Sequence, residues 1–351
     1  MQWMIYGANG YTGALIARQA VANGQRPILA GRNSAAVAAL ADELGLEGRV
    51  FELHNAEELG RQLADIDLVL HCAGPFSATS APMIEGCLAA RAHYLDISGE
   101  IAVFEHAQAQ ATRATEAGVV LCPGVGFDVI PTDCVAARLA EAMPEATHLA
   151  LGFDSRSGFS PGTAKTSVEA LGQGGSIRRT SRITPVPLAW RTRRIDFGDG
   201  EKLAMTIPWG DVSTAFHSTG IPNIEVYIPG SPRLVKNARR ANKLRWLLRL
   251  SPVQTLLKKR IEKTVRGPDA ATRDKMPTFV WGEVRDDSGH QLVARVRTAN
   301  GYSLTVSGSL AVIAHLNENK PEGGAYTPSR LVGWQLVERL PGSGAIAVSE
   351  T

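Results

Sequence analysis

The sequence predicts an α/β protein: an N-terminal Rossmann-type parallel sheet followed by a second, mixed α/β (α+β) domain. Three observations carry this expectation. A short apolar run, Met4-Ile5-Tyr6, passes directly into Gly7-Ala8-Asn9-Gly10-Tyr11-Thr12-Gly13 and then into residues 14–21, whose apolar side chains recur at helical spacing. Strand-like runs then alternate with helix-like runs as far as residue 142, the pattern of a sheet covered by helices on both faces. Past Pro144 the strands alternate apolar and polar residues, the mark of a sheet with one solvated face.

The first strand and its glycine turn set the frame. Gly7 lets the chain turn sharply, Gly10 leaves room for a pyrophosphate to approach the backbone, and Gly13 lets the helix pack close to the sheet. The N–H groups of the helix start carry a partial positive charge suited to phosphate. Gly7, Asn9, Gly10, Tyr11, Thr12 and Gly13 are therefore candidate cofactor residues. The second strand, 26–30, ends in Gly31-Arg32-Asn33. A carboxylate here would accept from the ribose 2′-hydroxyl of NAD, whereas Arg32 offers a guanidinium fork to a 2′-phosphate. NADP(H) is the expected cofactor, with Arg32 and Asn33 in its site; a solvated surface arginine is the plain alternative. Asn33 or Ser34 then caps a helix over 34–44.

A third strand is expected at 50–53, a short helix at 56–63, and a buried fourth strand at 67–72 that ends in Ala73-Gly74-Pro75-Phe76. The backbone of Ala73, Gly74 and Pro75 is placed to approach the nicotinamide ribose, and Phe76 to wall the nicotinamide. His71 reads as a core histidine rather than a catalyst. A helix over 80–92, a fifth strand at 93–97, a helix over 101–117, a sixth strand at 118–122 and a helix over 132–142 complete the first domain. Asp96, Ser98, Glu100 and Asp128 gather at the strand ends, where doubly wound sheets take their ligands.

The first domain is expected to span 1–145 and a closing, substrate-specific domain 146–320, with the segment 321–351 packing back on the first. In the second domain the pattern predicts a strand at 147–154, a capped helix from 160 to 171, and short strands from 178 to 227. A hairpin of 279–285 with 291–298, a strand at 302–306 and a helix at 310–316 follow. A loop at 322–328 and a short element at 331–340 close the chain. Within it the insertion 233–266 holds twelve Lys or Arg against the single acid Glu262, interleaved with Trp246, Leu247, Leu250, Leu256 and Leu257. Such a basic amphipathic stretch suits an anionic membrane surface or an acidic carrier protein; the bland alternative is a solvated helical face. Nucleic acid is not expected, because no binding motif accompanies the charge.

The totals narrow the class. The chain has 351 residues, 44% hydrophobic and 20% charged, and a formal net charge of +3, a globular composition. Its four cysteines show neither a Cys-x-x-Cys pair nor zinc spacing, so no metal is expected. The first strand starts beside the initiator Met, and no apolar run reaches the ~18 residues of a membrane span. The expected location is the cytoplasm, with the basic insertion as a peripheral membrane contact; a homodimer is compatible with the chain.

These residues resemble the saccharopine reductase-like family. The resemblance rests on 6–13, Ala30-Gly31-Arg32, Ala73-Gly74-Pro75-Phe76, Tyr94-Leu95-Asp96 with Gly99-Glu100, and Pro123-Gly124-Val125-Gly126-Phe127-Asp128. Distal matches are Gly267-Pro268, Gly301-Tyr302-Ser303-Leu304-Thr305 and Gly324-Ala325-Tyr326-Thr327-Pro328. Within the family the chain is similar to the bacterial branch named for trans-acting enoyl reductases. That resemblance implies reduction of a carbon–carbon double bond on a carrier-bound polyketide or lipid precursor. Such chemistry needs a proton source for the α-carbon, for which Glu100, Asp128 and Lys165 are candidates. Asp128 is equally placed to cap a helix, and Glu100 to sit in a capping turn. No tyrosine has a lysine four positions on, so the Tyr-x-x-x-Lys mechanism of short-chain reductases is absent. Two other functions stay open: a carbon–nitrogen (imine) reductase using Arg178, Arg179 and Arg182 for substrate carboxylates, and a non-catalytic NADP(H) sensor.

Overall fold

The computed structural model describes all residues except 157, 159, 161, 163, 165–167, 169–171, 266 and 351, and only the backbone of 258, 262, 263 and 274. The chain divides into two compact units, Met1–Ile130 with Tyr302–Gly333 and Pro131–Gly301 with Trp334–Thr351.

In the first unit, β1 (Trp3–Tyr6), β2 (Ile28–Gly31), β3 (Gly48–Val50), β4 (Leu68–His71), β5 (His93–Asp96) and β6 (Val120–Cys122) alternate with helices α1 (Tyr11–Ala22), α2 (Ser34–Leu44), α3 (Ala56–Leu63), α4 (Phe76–Ala90), α5 (Ile101–Ala109) and α6 (Ala111–Ala117). Every pair is parallel, in the order β3-β2-β1-β4-β5-β6, and a seventh strand follows β6. β1 and β4 are buried along their whole length, as strands covered on both faces must be, which is why they read as unbroken apolar runs. Met4, Tyr6, Val69, Met83, Ile84, Tyr94 and Leu121 belong to one core cluster. The strand order reverses between β1 and β4, which puts the ligand crevice at their carboxyl ends.

α7 (Ile130–Ala142) leads into the second unit. Its sheet contains β7 (His148–Asp154), the hairpin β8 (Gly175–Arg179) and β9 (Arg182–Val186), β10 (Thr192–Asp196), β11 (Glu201–Ile207), β12 (Asn223–Pro229), β13 (Thr278–Arg285) and β14 (Gln291–Thr298). The order is β10-β11-β12-β7-β13-β14, then a C-terminal strand, with β8 attached to β12. Only β12 and β7 run parallel; the other pairs are antiparallel, so the sheet is mixed. The β13–β14 hairpin pairs from Thr278↔Thr298 to Arg285↔Gln291, closed by Asp286, whose carboxylate accepts from the His290 N–H at 2.9 Å. α7 lies on β13: a Cβ on Gly282 would come within 2.6 Å of Val135.

Several expectations are corrected. Residues 302–306 are not a strand but the first turns of α13 (Gly301–Asn319). Leu304, Thr305, Ser309, Val312, Ile313 and Leu316 are its buried face, a helical period hidden by the local alternation of Tyr302, Leu304 and Val306. The loop expected at 322–328 contains β15 (Gly324–Ala325), which pairs with β6 and makes the parallel sheet seven-stranded. A helix in the stretch expected as strands, α8 (Asp211–Thr219), is dominated by short polar and β-branched residues of low helix propensity. The single helix over 101–117 is two, broken at Gln110, and α4 begins at Phe76 rather than at 80. The unit boundary falls at Ile130, not 145, because α7 packs on β13. The C-terminal segment divides: α14 (Pro328–Val332) stays in the first unit, while α15 (Leu336–Arg339) lies in the second, where β16 (Ala347–Glu350) pairs with β14. The helix expected over 160–171 falls largely outside the described residues.

The basic insertion is helical: α9 (Pro232–Ala241), a 3-10 turn (Asn242–Leu244), α10 (Arg245–Leu248) and α11 (Ser251–Thr264), followed by α12 (Ala270–Lys275). Ser231 caps α9 by accepting from Leu234 N–H at 3.2 Å, with Pro232 at the first turn.

Candidate active site at the carboxyl ends of the parallel strands

The turn after β1 is held by the neighbouring strand: the N–H groups of Gly7 and Ala8 donate to Ala30 O at 2.7 and 3.1 Å. Gly7 sits at φ +86°, and a Cβ there would lie 2.7 Å from Ala73 N, so both its conformation and its packing demand glycine. Gly13 packs α1 against the turn, since its Cβ would meet Gly7 O at 2.4 Å. Gly10 differs. Its φ of −74° suits any residue, and an added Cβ would approach only Gly7 O, at 3.2 Å. Asn9 and Gly10 are exposed and Tyr11 and Thr12 half-buried. Gly10 caps α1 without a side-chain hydrogen bond, and no acid stands in the first turn, so the positive end of the helix dipole is uncompensated. A bare backbone there fits an anion such as a pyrophosphate.

One strand away, Arg32 is exposed at the end of β2 and forms no ion pair among the described residues. Its charge reaches the Tyr6 hydroxyl, which donates to Phe51 O at 3.0 Å. Asn33 is committed to α2: its side chain accepts from Ala36 N–H at 3.1 Å, which resolves the capping alternative in favour of Asn33. Asn9 Oδ1 lies over Gly31, 2.9 Å from where a Cβ would stand.

After β4, Ala73, Gly74 and Pro75 lead into α4, and the Glu100 carboxylate accepts from the Phe76 N–H at 3.1 Å. Glu100 thus caps α4 from the loop after β5, and its own N–H donates to Ser98 Oγ at 3.0 Å. His71 lies beneath this loop. Thr79 donates to Ala73 O at 2.7 Å, so the His71 Nε2–H donates to Thr79 Oγ1 at 2.9 Å. Burial pushes the His71 pKa down to about 3, and the neutral ring stacks on Tyr6 with centroids 5.6 Å apart. His71 Nδ1 is buried without a hydrogen-bond partner, so the expected core histidine is satisfied on one nitrogen only.

Asp96 ties two loops together. Its carboxylate accepts from Tyr94 OH at 2.7 Å, Ser98 N–H at 2.9 Å and Gly124 N–H at 2.8 Å. Burial outweighs these bonds and pushes its pKa up to about 6. Asp128 Oδ2 stands 3.0 Å from where a Cβ of Gly99 would be, next to Glu100, and burial pushes its pKa up to about 7. α13 supports this loop: Thr305 Oγ1 accepts from Phe127 N–H at 3.0 Å, and Ser309 Oγ donates to Val125 O at 3.1 Å. At its start Tyr302 meets Tyr11 of α1 edge-to-face, with centroids 5.1 Å apart. Tyr302 and Thr305 were not among the expected site residues. Their signal lay in the distal Gly301-Tyr302-Ser303-Leu304-Thr305 match, obscured by the strand assignment.

Lys165 lies outside the described residues. The three arginines considered for substrate carboxylates lie at one end of the β8–β9 hairpin but differ in exposure. Arg178 is buried, donating to Val212 O and Ser181 O at 2.8 Å each and covering the Phe216 ring at 4.1 Å. Arg179 and Arg182 are exposed and paired at the end of the β8–β9 hairpin. Among the described residues no group of three His, Cys, Asp or Glu could hold a metal ion.

Residues 3–122 match the family described as "Saccharopine dehydrogenase NADP binding domain". The N-terminal third of the chain thus matches a saccharopine dehydrogenase-type NADP-binding domain. Its cofactor is NADP(H), which the open turn at Gly10 and the uncompensated start of α1 fit, with Arg32 beside them. The chain is similar over 97% of its length, at 23% identity, to 95% of a Mycobacterium tuberculosis protein named as a candidate trans-acting enoyl reductase. A human saccharopine dehydrogenase-like oxidoreductase is 25% identical over 53% of this chain and 50% of its own, so the match spans about half of that relative. The fold is similar to that of Saccharomyces cerevisiae saccharopine dehydrogenase (L-Glu forming), with TM-score 0.64 and 10% identity over 100% of this chain and 99% of that one. The protein is an NAD(P)-dependent oxidoreductase. Among the described residues no helix is long and apolar enough to cross a membrane.

Proposed function

We propose that the protein reduces the carbon–carbon double bond of an enoyl-type, carrier-bound or lipid-like substrate with NADPH. The observation that carries this is Asp128, a carboxyl whose pKa burial pushes up to about 7, at the same strand ends as the expected nicotinamide loop. Likeness to a candidate enoyl reductase along nearly the whole chain supports the same reaction.

The chemistry distributes as follows. Bound NADPH supplies the hydride that adds to the β-carbon, and NADP⁺ is left. The turn at Gly7, Gly10 and Gly13 and the start of α1 bind the pyrophosphate, and Arg32 binds the 2′-phosphate. Phe76 would wall the nicotinamide, and the backbone of Ala73, Gly74 and Pro75 would approach its ribose. Glu100 is a positioning residue, because it fixes the first N–H of α4 and thereby the loop that carries Phe76. Asp128 delivers a proton to the α-carbon, so that hydride and proton together saturate the double bond. A carboxyl with an ordinary pKa would be empty at neutral pH; burial keeps this one about half-protonated there. An amino-acid imine would call for convergent cations to hold its carboxylates, and Arg178 is committed to backbone carbonyls instead.

The test is NADPH consumption with a medium-chain enoyl thioester set against an imine formed from an amino acid and a keto acid. The expected result is turnover of the thioester, with a rate that declines above about pH 7 as Asp128 loses its proton. Turnover of the imine alone would overturn the proposal, and so would consumption of neither.

A further inference from the structure

We propose that the helical insertion of the second unit is a docking surface for an anionic phospholipid membrane. Lys236, Arg239 and Arg240 follow one another at the i, i+3, i+4 spacing that puts side chains on one face of α9, and Lys243 follows in the 3-10 turn. They line a groove of about 470 Å³ with an apolar floor that includes Leu203 and Val235. Arg239 Nε donates to Ala189 O at 3.2 Å, which anchors the stripe to the unit. Lys236, Arg240 and Lys243 are exposed and meet no carboxylate among the described residues. Like charges at this spacing repel, and no carboxylate among the described residues neutralises them. Phosphates supply that charge.

The next two helices add the apolar half. Leu244, Trp246, Leu250 and Leu256 are exposed, Trp246 to 68% and Leu256 to 70%. On the side toward the unit, Arg245 donates to Gln173 O and Arg249 to Gly172 O, at 2.7 and 2.8 Å. These two arginines hold the helices in place and leave the bulky apolar side chains outward. A protein partner would need a pocket for each of these scattered side chains. A bilayer interface needs none, and it accepts Trp and Leu at headgroup depth beside cations that pair with phosphate. With ten and fourteen residues, α9 and α11 fall well short of the ~20 that span a bilayer, so they lie on its surface.

The experiment is co-sedimentation of the full chain with phosphatidylcholine vesicles, with and without phosphatidylglycerol, and with an acidic acyl carrier protein as competitor. Expected is binding to the phosphatidylglycerol vesicles that salt reverses. The triple variant Lys236→Gln/Arg240→Gln/Lys243→Gln should lower that binding at least about tenfold. Trp246→Ser/Leu250→Ser should weaken it as well. NADPH titration, unchanged in both variants, reports that the fold is intact. Equal sedimentation of wild type and triple variant overturns the proposal, as does capture by the carrier protein in place of the vesicles.

Discussion

Arg32 is the residue proposed to distinguish the cofactor. It stands exposed at the end of β2, with no acid in the family's ribose-reading place. Removing one member of a charge-assisted pair costs about 1.5–3 kcal/mol, or roughly ten- to a hundredfold in affinity. Arg32→Ala is therefore expected to weaken NADPH by that factor and leave NADH nearly unchanged, measured by fluorescence titration of the two nucleotides. Glu100 is expected to act through position. Glu100→Ala removes the cap on Phe76 N–H, at about 1 kcal/mol, and lowers kcat, whereas Glu100→Gln keeps an acceptor oxygen and restores most of it. If Gln does no better than Ala, the carboxylate acts chemically rather than by holding the loop. Gly7 and Gly13 were legible because each answers a local demand of conformation or packing, whereas Gly10 meets none in the chain itself. Glu100 was expected as a proton source or in a turn after the fifth strand; its bond to Phe76 was not legible, since that partner is distant in sequence and no local pattern marks a helix capped from another loop.

At the scale of elements, the central strands were readable because burial on both faces leaves an unbroken apolar run, as in β1 and β4. The hairpin β13–β14 was readable from its alternation and its Asp286-Asp287-Ser288-Gly289 turn. What failed were elements defined by their partners. β15 has only two residues, and it exists because β6 offers a free edge. α8 is a short helix whose buried Val212, Thr214 and Ala215 mimic a strand. α13 begins with an alternation that belongs equally to a strand, and its helical period emerges only from Leu304 through Leu316. It returns the chain to the first unit and braces the loop of Asp128 through Thr305. Thr305→Val keeps the shape and leaves the buried Phe127 N–H without its acceptor. The expected cost is about 1–3 kcal/mol of stability, read by denaturant unfolding, together with a lower kcat. An unchanged unfolding midpoint would show that α13 does not support the loop.

Across the whole molecule, buried carboxyls set the response to pH. The folded pKa of Asp128, pushed up to about 7, and that of Asp96, up to about 6, stand above the ordinary 3.8. Between about pH 4 and pH 7 the folded chain therefore holds protons that the unfolded chain has lost, and stability falls as pH rises through that window. His71 works in the opposite sense: its folded pKa of about 3 lies below 6.5, so its contribution is lost as pH falls from 6.5. Asp128→Asn is expected to flatten the Tm decline between pH 5 and pH 7, by an amount on the order of a few kcal/mol of unfolding free energy. A decline identical to wild type would show that Asp128 is ionised in the folded state at neutral pH, and it could not then supply the proton. The two-unit division was legible in the change of pattern past Pro144. The return of 302–333 to the first unit was not, because a long-range crossover leaves no mark on local periodicity.

The most direct test is to follow the hydride itself. Stereospecifically deuterated NADPH is incubated with an enoyl thioester, and the product is examined by NMR and mass. The proposed reaction places one deuterium on the β-carbon and takes the α-hydrogen from solvent through Asp128. A product without cofactor-derived deuterium, or deuterium on a carbon bound to nitrogen, would contradict it.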